Sequence, residues 1–448
     1  MNAAVDTCEN VETCDVAVIG GGPAGSTAAT FLARARHRVS LLEKAHHPRF
    51  HIGESLLPMS LPIFERLGVA DKVRAIGVHK RGADFEAHNE RGYNTFDFER
   101  ALGRSPPHAY QVWREDFDQM LFEHARASGA DAREGHQALR IEQRDARETY
   151  IDVKTDEGRE YQIRTRYLVD ASGRDAFLAA KKKLRRKNDE HQSAAIFGHF
   201  RGAAPRPGRD AGNISMYRFE HGWMWMIPLR DGVMSVGAVC RPDYLKQRKG
   251  RTVEFLLETL KRNAAMWRRM EGAELIDDKV RVTGNYSYDS LQMGAPGWIL
   301  IGDAFGFLDP VFSTGVYLAM SMAEEASRLI DTALRDPRRE SALQRRLEKR
   351  VRKAMDRFSF FVYRFNNPVM KEMLGHPSNR LRIEQGVISM LAGDVLGTPR
   401  VLWRLQLFKA IYGMLGTLDW RRWRAEKRYR RAQARSEFTG GNTPLDSA

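Results

Sequence analysis

The fold is decided by the stretch Gly20-Gly21-Gly22-Pro23-Ala24-Gly25. It follows a short β-branched run, 15–19, and precedes an Ala- and Leu-rich segment, 26–35, so this region predicts a strand, a loop and a helix. A second apolar strand, 38–43, ends in an acid eighteen residues after the last of these glycines. Together the three elements complete a βαβ unit of the dinucleotide-binding type.

Three glycines of this loop have predicted roles in cofactor binding. Gly20 allows the tight turn, Gly22 lets the backbone approach a pyrophosphate, and Gly25 lets the helix pack closely on the strand. The pyrophosphate would meet the amino terminus of the helix, where free N–H groups and the helix dipole favour anions. Glu43 is predicted to accept hydrogen bonds from a ribose.

Two later strands also end in acids, at Asp170 and at Asp303, and Asp303 can accept a hydrogen bond from a ribityl hydroxyl. In this order the three strand-and-acid segments resemble the FAD-binding module of the single-component flavoprotein monooxygenases. The resemblance covers most of residues 14–335 and implies FAD as the cofactor.

The expected fold class is therefore α/β, with a Rossmann-like FAD-binding module of the flavoprotein monooxygenase type. This module is predicted over 1–335 and includes a substrate-side β-sheet region at about 81–112 and 190–285. A helical carboxyl-terminal region with a basic tail is predicted over 336–448. The length of 448 residues suits two or three structural units.

Composition excludes several classes of protein. The chain is 42% hydrophobic and 29% charged, which is typical of globular proteins. Its first residues carry acids, and no run of about eighteen apolar residues occurs, so a cytoplasmic location is expected. There is no HExxH, no paired CxxC and no Gly-x-Ser-x-Gly, so metal catalysis and serine hydrolysis are not expected, and no metal is predicted.

Three separate motifs narrow the resemblance to the flavin-dependent halogenases of the tryptophan-halogenase superfamily. They are His51-Ile52-Gly53-Glu54-Ser55-Leu56-Leu57-Pro58, the run Gly222-Trp223-Met224-Trp225-Met226-Ile227-Pro228, and the segment 307–315. The family pattern Phe-x-x-Pro-x-x-Ser-x-Gly is met in the last segment at Phe307, Pro310, Ser313 and Gly315.

The resemblance implies a reaction and its residues. Reduced FAD from a separate flavin reductase, O₂ and chloride or bromide would give hypohalous acid, which is relayed to a lysine for electrophilic halogenation. The matching lysine is Lys80, within the segment 77–85, and the halide would lie on the backbone N–H groups of Thr314 and Gly315. The resemblance also assigns to the cofactor Glu54, Ser55, Arg114 and Pro310.

Trp223 and Trp225 are two apart on a predicted strand, so both would face one side. Two aromatics on one face are more often core than chemistry, but the resemblance implies that this pair keeps organic substrate away from the flavin. Two alternatives stay open. A hydroxylase of the same fold would need an open path from substrate to flavin, and a non-catalytic flavin-binding partner would never consume halide.

The expected substrate is an electron-rich aromatic or conjugated compound of secondary metabolism, such as an antibiotic or pigment precursor. In similar enzymes that act on free tryptophan, a glutamate precedes the Ser-Thr-Gly sequence, whereas here the position is Phe312. This departure favours phenols, pyrroles and carrier-bound acyl groups. The sequence identifies no general base, and His37, His51 and His79 are expected to be surface or packing residues, with His79 kept as an alternative site residue because it neighbours Lys80.

The net charge of +15 is concentrated in the segments 181–187 and 419–435. Such segments favour an acidic carrier protein or peripheral contact with an anionic membrane, although a solvated basic tail without a partner is an equal alternative. Nucleic acid is not expected, because no nucleic-acid module accompanies the charge. An amphipathic helix is predicted before the second basic segment, with its apolar face at Trp403, Leu407, Ile411, Leu415 and Leu418, and Gly416 is expected to end or bend it.

Overall fold

The computed structural model describes residues 11–87, 92–188, 191–284, 287–377, 379–418, 424, 428, 431 and 432. The basic tail predicted at 419–435 therefore lies outside the described residues, except for four positions. Among the helices that are described, none combines the length and the apolar character needed to cross a membrane.

The first sheet contains the predicted βαβ unit. Val11–Ile19 runs parallel both to Val39–Leu42 and to Glu160–Asp170, and the helix Pro23–Arg34 follows the glycine loop, as predicted. Across the sheet the strands lie in the order Gly294–Ala295, Trp298–Leu300, Glu160–Asp170, Val11–Ile19, Val39–Leu42 and Asp131–Arg133. The antiparallel strands His136–Asp145 and Glu148–Thr155 extend it beside Glu160–Asp170. Val16, Ala17 and Val18 are fully buried, as expected for a central parallel strand that is covered on both faces.

The second sheet is mainly antiparallel and provides the tryptophan strand. Its strands lie in the order Glu274–Leu275, Ala194–Arg201, Val233–Cys240, Gly222–Pro228, Ile214–Phe219, Gly82–Glu86 and Tyr93–Asp97, and Arg281–Thr283 also pairs with Ala194–Arg201. Trp223 and Trp225 lie in the core that the sheet shares with the first sheet, whereas Met224 and Met226 pack into a separate core on the other face. The period-2 alternation of the strand therefore aims both tryptophans one way.

Two short sheets complete the strand structure. Val78–Lys80 pairs antiparallel with Ala109–Gln111, which fixes the backbone of Lys80. Arg185–Lys187 pairs with Tyr288–Ser290, which pairs in turn with Gly306–Phe307.

Helices form most of the described carboxyl-terminal part of the chain. In chain order the helices are Pro23–Arg34, Leu61–Leu67, Ala70–Ile76, Arg114–Ala127, Phe177–Lys181, Pro242–Lys246, Thr252–Lys261, Ala264–Arg269, Thr314–Arg335, Glu340–Val362, Pro368–Gly375, Ile383–Leu391 and Pro399–Leu418. Glu340–Val362 is fastened to the first sheet, because Glu340 accepts a hydrogen bond from the Gly297 amide at 2.9 Å and Gln344 donates to the carbonyl of Ala295 at 2.9 Å.

The last long helix is present as predicted, but its predicted apolar face is wrong. Pro399–Leu418 buries Val401, Leu405, Phe408 and Tyr412, whereas Trp403 is 46% exposed. Phe408 contacts Phe361 with ring centroids 5.2 Å apart, and Tyr412 contacts Phe360 at 5.5 Å. These aromatic partners select the buried face. Gly416 does not end the helix, which continues to Leu418.

Candidate active site

A cavity of about 830 Å³ opens at the carboxyl ends of the parallel strands of the first sheet and reaches the second sheet. Most of the residues predicted from sequence line it together. These lining residues are Gly20, Gly22, Glu43, Glu54, Ser55, Arg114, Trp223, Trp225, Asp303, Pro310 and Gly315. Gly25, Lys80 and Thr314 do not line the cavity, but each adjoins a residue that does: Gly25 packs on Gly20, Lys80 donates to Ser55, and Thr314 precedes Gly315 in the chain.

The glycine loop is shaped by missing side chains. Gly20 has a φ of +104°, and a Cβ there would lie 2.4 Å from the carbonyl oxygen of Ala171. A Cβ on Gly25 would lie 1.8 Å from the carbonyl oxygen of Gly20, so helix and loop could not approach as they do. At Gly22 the nearest atom to such a Cβ is an Arg49 nitrogen at 3.6 Å. Thus Gly20 and Gly25 leave no room for a side chain, whereas the backbone at Gly22 is open toward the cavity.

Glu43 ties this loop to the second strand. Its carboxylate accepts hydrogen bonds from the amides of Gly21 at 2.8 Å and Ala45 at 3.0 Å. Arg49, which belongs to no motif of the sequence, lines the cavity and donates to Glu43 at 3.2 Å. Its Nε is buried and has no hydrogen-bond partner among the described residues. A buried donor left over at a phosphate loop fits an oxygen of a dinucleotide.

Arg114 begins the helix Arg114–Ala127 and forms a two-point ion pair with the buried Asp118, with both N–O distances at 2.9 Å. Burial opposes ionisation of Asp118, yet the Arg114 guanidinium holds the pKa of that carboxyl below its usual value. Arg114 also donates to the carbonyl of Ile52 and so orients the segment 51–58.

Three further polar groups of the cavity have unusual surroundings. Burial raises the pKa of Asp303 to about 6, so its carboxyl can donate or accept a hydrogen bond near neutral pH. Glu54 lies 2.6 Å from the Nε2 of His199, a buried residue that the sequence reading missed. His51 also lines the cavity, and burial lowers its pKa to about 4, so its imidazole is neutral near neutral pH.

The residues at this cavity fit FAD. The glycine loop offers backbone N–H groups at a helix start, Glu43 and Asp303 can accept hydrogen bonds, and Arg49 has an unused donor. Across the first sheet the glycine loop, after Val11–Ile19, lies between Glu43, after Val39–Leu42, and Asp303, beyond Trp298–Leu300. The pyrophosphate of FAD likewise lies between its ribose and its ribityl chain.

The amino terminus of the helix Thr314–Arg335 is a second place at this cavity where a helix start favours an anion. Ser313 takes a left-handed conformation with φ 56°, and the 22-residue helix begins directly after it. Its first N–H groups have no intrahelical partner, so backbone at Thr314 and Gly315 can bind an anion without a charged side chain. Gly315 faces the cavity, and the Thr314 side chain is buried.

Lys80 is 1% exposed and lies just behind the cavity wall. Its Nζ donates to Ser55 Oγ and to the Leu56 carbonyl, both at 2.9 Å, and lies 5.4 Å from the centre of the Phe98 ring. Burial lowers the pKa of Lys80 to about 7, since no carboxylate compensates the charge. Ser55 lines the cavity, so one hydrogen bond connects this amine to the cofactor side.

The two tryptophans form a continuous wall, with ring centroids 5.7 Å apart. Trp225 donates to Ser235 Oγ at 3.2 Å, and Trp223 contacts Phe365 at 6.3 Å between centroids. Phe365 also contacts Phe312 at 5.6 Å. The prediction that both tryptophans face one side is confirmed, and Phe312 belongs to the same aromatic layer.

Comparison with known proteins identifies the family. A family model described as an FAD binding domain matches residues 13–359, beyond the boundary predicted at 335. The solved structure of the myxobacterial chondrochloren halogenase CndH, an FAD-dependent halogenase, is 31% identical, with a TM-score of 0.75 over 88% of this chain and 96% of that chain. The chain belongs to the flavin-dependent halogenases.

Two curated members of this family show the range of relatives. Tryptophan 2-halogenase of Chondromyces crocatus is 36% identical over 313 residues, which are 69% of this chain but 59% of that protein. The chain thus matches less than two thirds of this relative's length. The 1H-pyrrole-2-carbonyl-(peptidyl-carrier protein) chlorinase of Pseudomonas fluorescens is 28% identical over 413 residues, 86% of this chain and 90% of that protein.

Proposed function

We propose that this protein is an FAD-dependent halogenase that uses reduced FAD, O₂ and chloride or bromide to make hypohalous acid, which Lys80 directs to an electron-rich aromatic or conjugated substrate. The observation that carries this proposal is the buried Lys80 amine, bonded through Ser55 to a cavity that Trp223 and Trp225 also line. When bound, FAD supplies the electrons for O₂ and the oxidation of halide.

The residues of the large cavity bind and orient that cofactor. The loop around Gly20 and Gly22 would hold the pyrophosphate, with Arg49 as an additional donor. Glu43 would accept from the ribose and Asp303 from the ribityl chain. Arg114, fixed by Asp118, keeps the segment 51–58 in place.

Lys80 has the hydrogen-bonding capacity that the relay needs. A neutral amine can donate two N–H groups, and Ser55 and the Leu56 carbonyl accept both. The nitrogen lone pair is then left to attack the halogen of hypohalous acid. A protonated Lys80 would instead have one N–H to donate to the oxidant. Because burial lowers its pKa to about 7, both forms are present near neutral pH.

Halide would lie on the amides of Thr314 and Gly315, at the start of the helix Thr314–Arg335. Trp223 and Trp225 would keep the aromatic ring away from the flavin, so that halide rather than substrate meets the oxidising centre. The alternative of a hydroxylase requires an open path through this wall, and the contact of Trp223 with Phe365 argues against it.

We propose a phenolic or pyrrolic substrate, free or tethered to a carrier protein, with a separate flavin reductase as partner. Phe312 in place of a glutamate supports this class, and the similarity to a chlorinase of a carrier-bound pyrrole supports tethering. The exposed strand Arg185–Lys187 offers a basic surface for an acidic carrier. We further propose that the protein acts in the cytoplasm, within secondary metabolism.

The test is mass spectrometry of products from the wild type and Lys80→Ala. Each receives FAD with a generic reductase, O₂, chloride or bromide, and a panel of free and carrier-loaded phenols and pyrroles. A halogen isotope pattern that is lost in Lys80→Ala and kept in the matched exposed-lysine variant Lys353→Ala supports the proposal. A gain of one oxygen without halogen would contradict it in favour of a hydroxylase, and flavin binding without any product would favour a non-catalytic partner.

A further inference from the structure

A second and much smaller cavity, of about 50 Å³, shares Trp223 with the cofactor cavity. Its other walls come from the distant segments 191–193 and 362–366, from the strand ends at 221–222 and 239–241, and from the loop that carries Asp309. Trp223 therefore lies between the cofactor cavity and this small cavity, whose lining is mainly apolar with a few polar groups. The cavity has the volume of one or two small polar groups and cannot enclose an aromatic ring.

His191 and Asp309 form a hydrogen-bonded pair in its wall. His191 Nε2 lies 3.0 Å from Asp309 Oδ2, and Ser193 Oγ donates to the same oxygen at 2.5 Å. Asp309 is 3% exposed, and the His191 ring stacks on Tyr363 with centroids 4.9 Å apart. A carboxylate at Nε2 favours the tautomer that carries its hydrogen there, which leaves Nδ1 as a proton acceptor.

Two amide oxygens of the same cavity have unused acceptor capacity. Gln192 Oε1 and Asn366 Oδ1 are buried and have no hydrogen-bond partner among the described residues. The orientation of Gln192 is fixed, because its Nε2 donates to the Ser287 carbonyl at 3.0 Å and to the Asn188 carbonyl at 3.1 Å. Buried acceptors are normally paired, so this cavity is suited to a ligand group that donates hydrogen bonds.

We propose that this cavity receives the O–H or N–H group of the aromatic substrate and that His191, oriented by Asp309, is the base that takes its proton. The inference rests on the proposed halogenase function and supplies the base that no sequence motif indicates. The substrate ring would lie outside this small cavity, at its mouth beside Phe365, which borders it. The amide oxygens of Gln192 and Asn366 would select a donor over an alkylated oxygen or nitrogen.

The proton balance is simple for a phenol. His191 Nδ1 takes the O–H proton, and the electron pair released to the ring forms the carbon–halogen bond while the halogen–oxygen bond of hypohalous acid breaks. The departing hydroxide takes the proton of the substituted carbon and becomes water. His191 then returns its proton to the phenol oxygen. The sum is Ar–H plus hypohalous acid giving Ar–halogen plus water.

Other titratable groups at this cavity do not replace His191. Its lining also contains Tyr363, His221, Cys240 and Arg241. Burial raises the pKa of Tyr363 to about 12, so its hydroxyl stays neutral and donates rather than accepts a proton. Burial likewise raises the pKa of the Cys240 thiol far above its usual value. His221 stacks on Tyr244 at 4.4 Å, and its carboxylate partner Glu220 is exposed and lies 3.6 Å from its Nε2, beyond the 3.0 Å of the buried His191–Asp309 pair.

The experiment compares His191→Asn with the matched control His37→Asn, which alters another histidine paired with an aspartate, Asp331, away from both cavities. The probes are resorcinol and 1,3-dimethoxybenzene, and pyrrole-2-carboxamide and its N-methyl form. Hypohalous acid released to solution is measured separately by trapping with taurine. We expect His191→Asn to lower kcat on resorcinol and pyrrole-2-carboxamide by about 100-fold, the usual size of a general-base contribution, with the methylated probes unchanged.

His191→Gln serves as a second variant if His191→Asn is poorly folded, as judged by its flavin spectrum and Tm. An equal loss on donor and methylated probes, or no loss on either, would overturn the inference while leaving halogenation intact. A loss equal to that of His37→Asn would overturn it as well. Absence of both trapped hypohalous acid and halogenated product in the wild type would instead refute the underlying halogenase function, and a preserved hypohalous acid yield excludes that explanation.

Discussion

The two cavities that meet at Trp223 are built in opposite ways. The larger, of about 830 Å³, is enclosed by strand ends, a glycine loop and helix starts, so its shape depends on backbone. The smaller, of about 50 Å³, is closed by side chains from segments far apart in the chain. A cofactor shared by a whole family can be bound by backbone, whereas a particular substrate must be recognised by exchangeable side chains.

The largest effect is expected from Gly20→Ala, because it changes the backbone on which the large cavity depends. The alanine would need a φ of +104° and would bring its Cβ to 2.4 Å from the Ala171 carbonyl. We expect the Kd for FAD to rise by about 100-fold or more and the Tm to fall. Fluorescence titration and thermal unfolding measure both.

Gly413→Ala is the control, since a Cβ there meets nothing within 4 Å. Its FAD affinity should equal that of the wild type, and its Tm should be equal or slightly higher, because alanine favours a helix interior more than glycine does. Wild-type FAD affinity in Gly20→Ala would contradict the view that backbone shape governs this cavity.

The second prediction concerns Trp223, which lies between the two cavities. Trp223 borders both cavities, whereas Trp225 borders the large one alone. Trp223→Ala should therefore connect them and raise the ratio of oxygenated or uncoupled product to halogenated product by about 20-fold, or ~1.8 kcal/mol. Trp225→Ala removes a similar ring without joining the cavities and should change the ratio much less. Equal product ratios in the two variants would contradict the view that Trp223, unlike Trp225, separates the two cavities.

The third prediction uses pH to separate the formation of hypohalous acid at the cofactor from its relay through Lys80. Burial lowers the pKa of Lys80 to about 7, so the neutral amine is lost as pH falls through that value. If the amine is the nucleophile, the rate of halogenated product formation should fall about tenfold between pH 8 and pH 6. Trapped hypohalous acid should not follow this profile. A flat product rate over that range would show that the protonated lysine acts as a hydrogen-bond donor instead.

The smallest effect is expected from Gly315→Ala. A Cβ at Gly315 meets no protein atom within 4 Å, so the added methyl would project into free space beside the helix start. We expect an unchanged Tm and FAD affinity, with a KM for halide raised about threefold, or ~0.7 kcal/mol, by crowding of the amide. An unchanged halide KM would argue that the anion lies elsewhere.

The sequence was most informative where spacing alone creates structure. The βαβ unit follows from a glycine loop between two apolar strands, and the common side of Trp223 and Trp225 follows from the period of a strand. Lys80 came from family resemblance, and its burial explains why a lysine there has a lowered pKa.

What the sequence could not indicate depends on contacts between distant residues. Arg49 has no special spacing and becomes notable only because it meets Glu43 across the phosphate loop. His191 and Asp309 are separated by more than a hundred residues and belong to no motif together. The helix Pro399–Leu418 has apolar residues around most of its surface, so its partners Phe360 and Phe361 determine the buried face.

The helix Glu340–Val362 runs from the first sheet to the small cavity. Near its start, Glu340 and Gln344 hold strands of the first sheet, and beyond its end Tyr363, Phe365 and Asn366 border the small cavity. One continuous helix thus holds the first sheet at one end and leads to one side of the small cavity at the other. Recombination between family members after residue 344 would exchange Tyr363, Phe365 and Asn366 on that side and keep both the flavin site and the opposite side of the small cavity, at 191–193 and 221–223. Substrate preference could then change in evolution without loss of the inherited flavin chemistry.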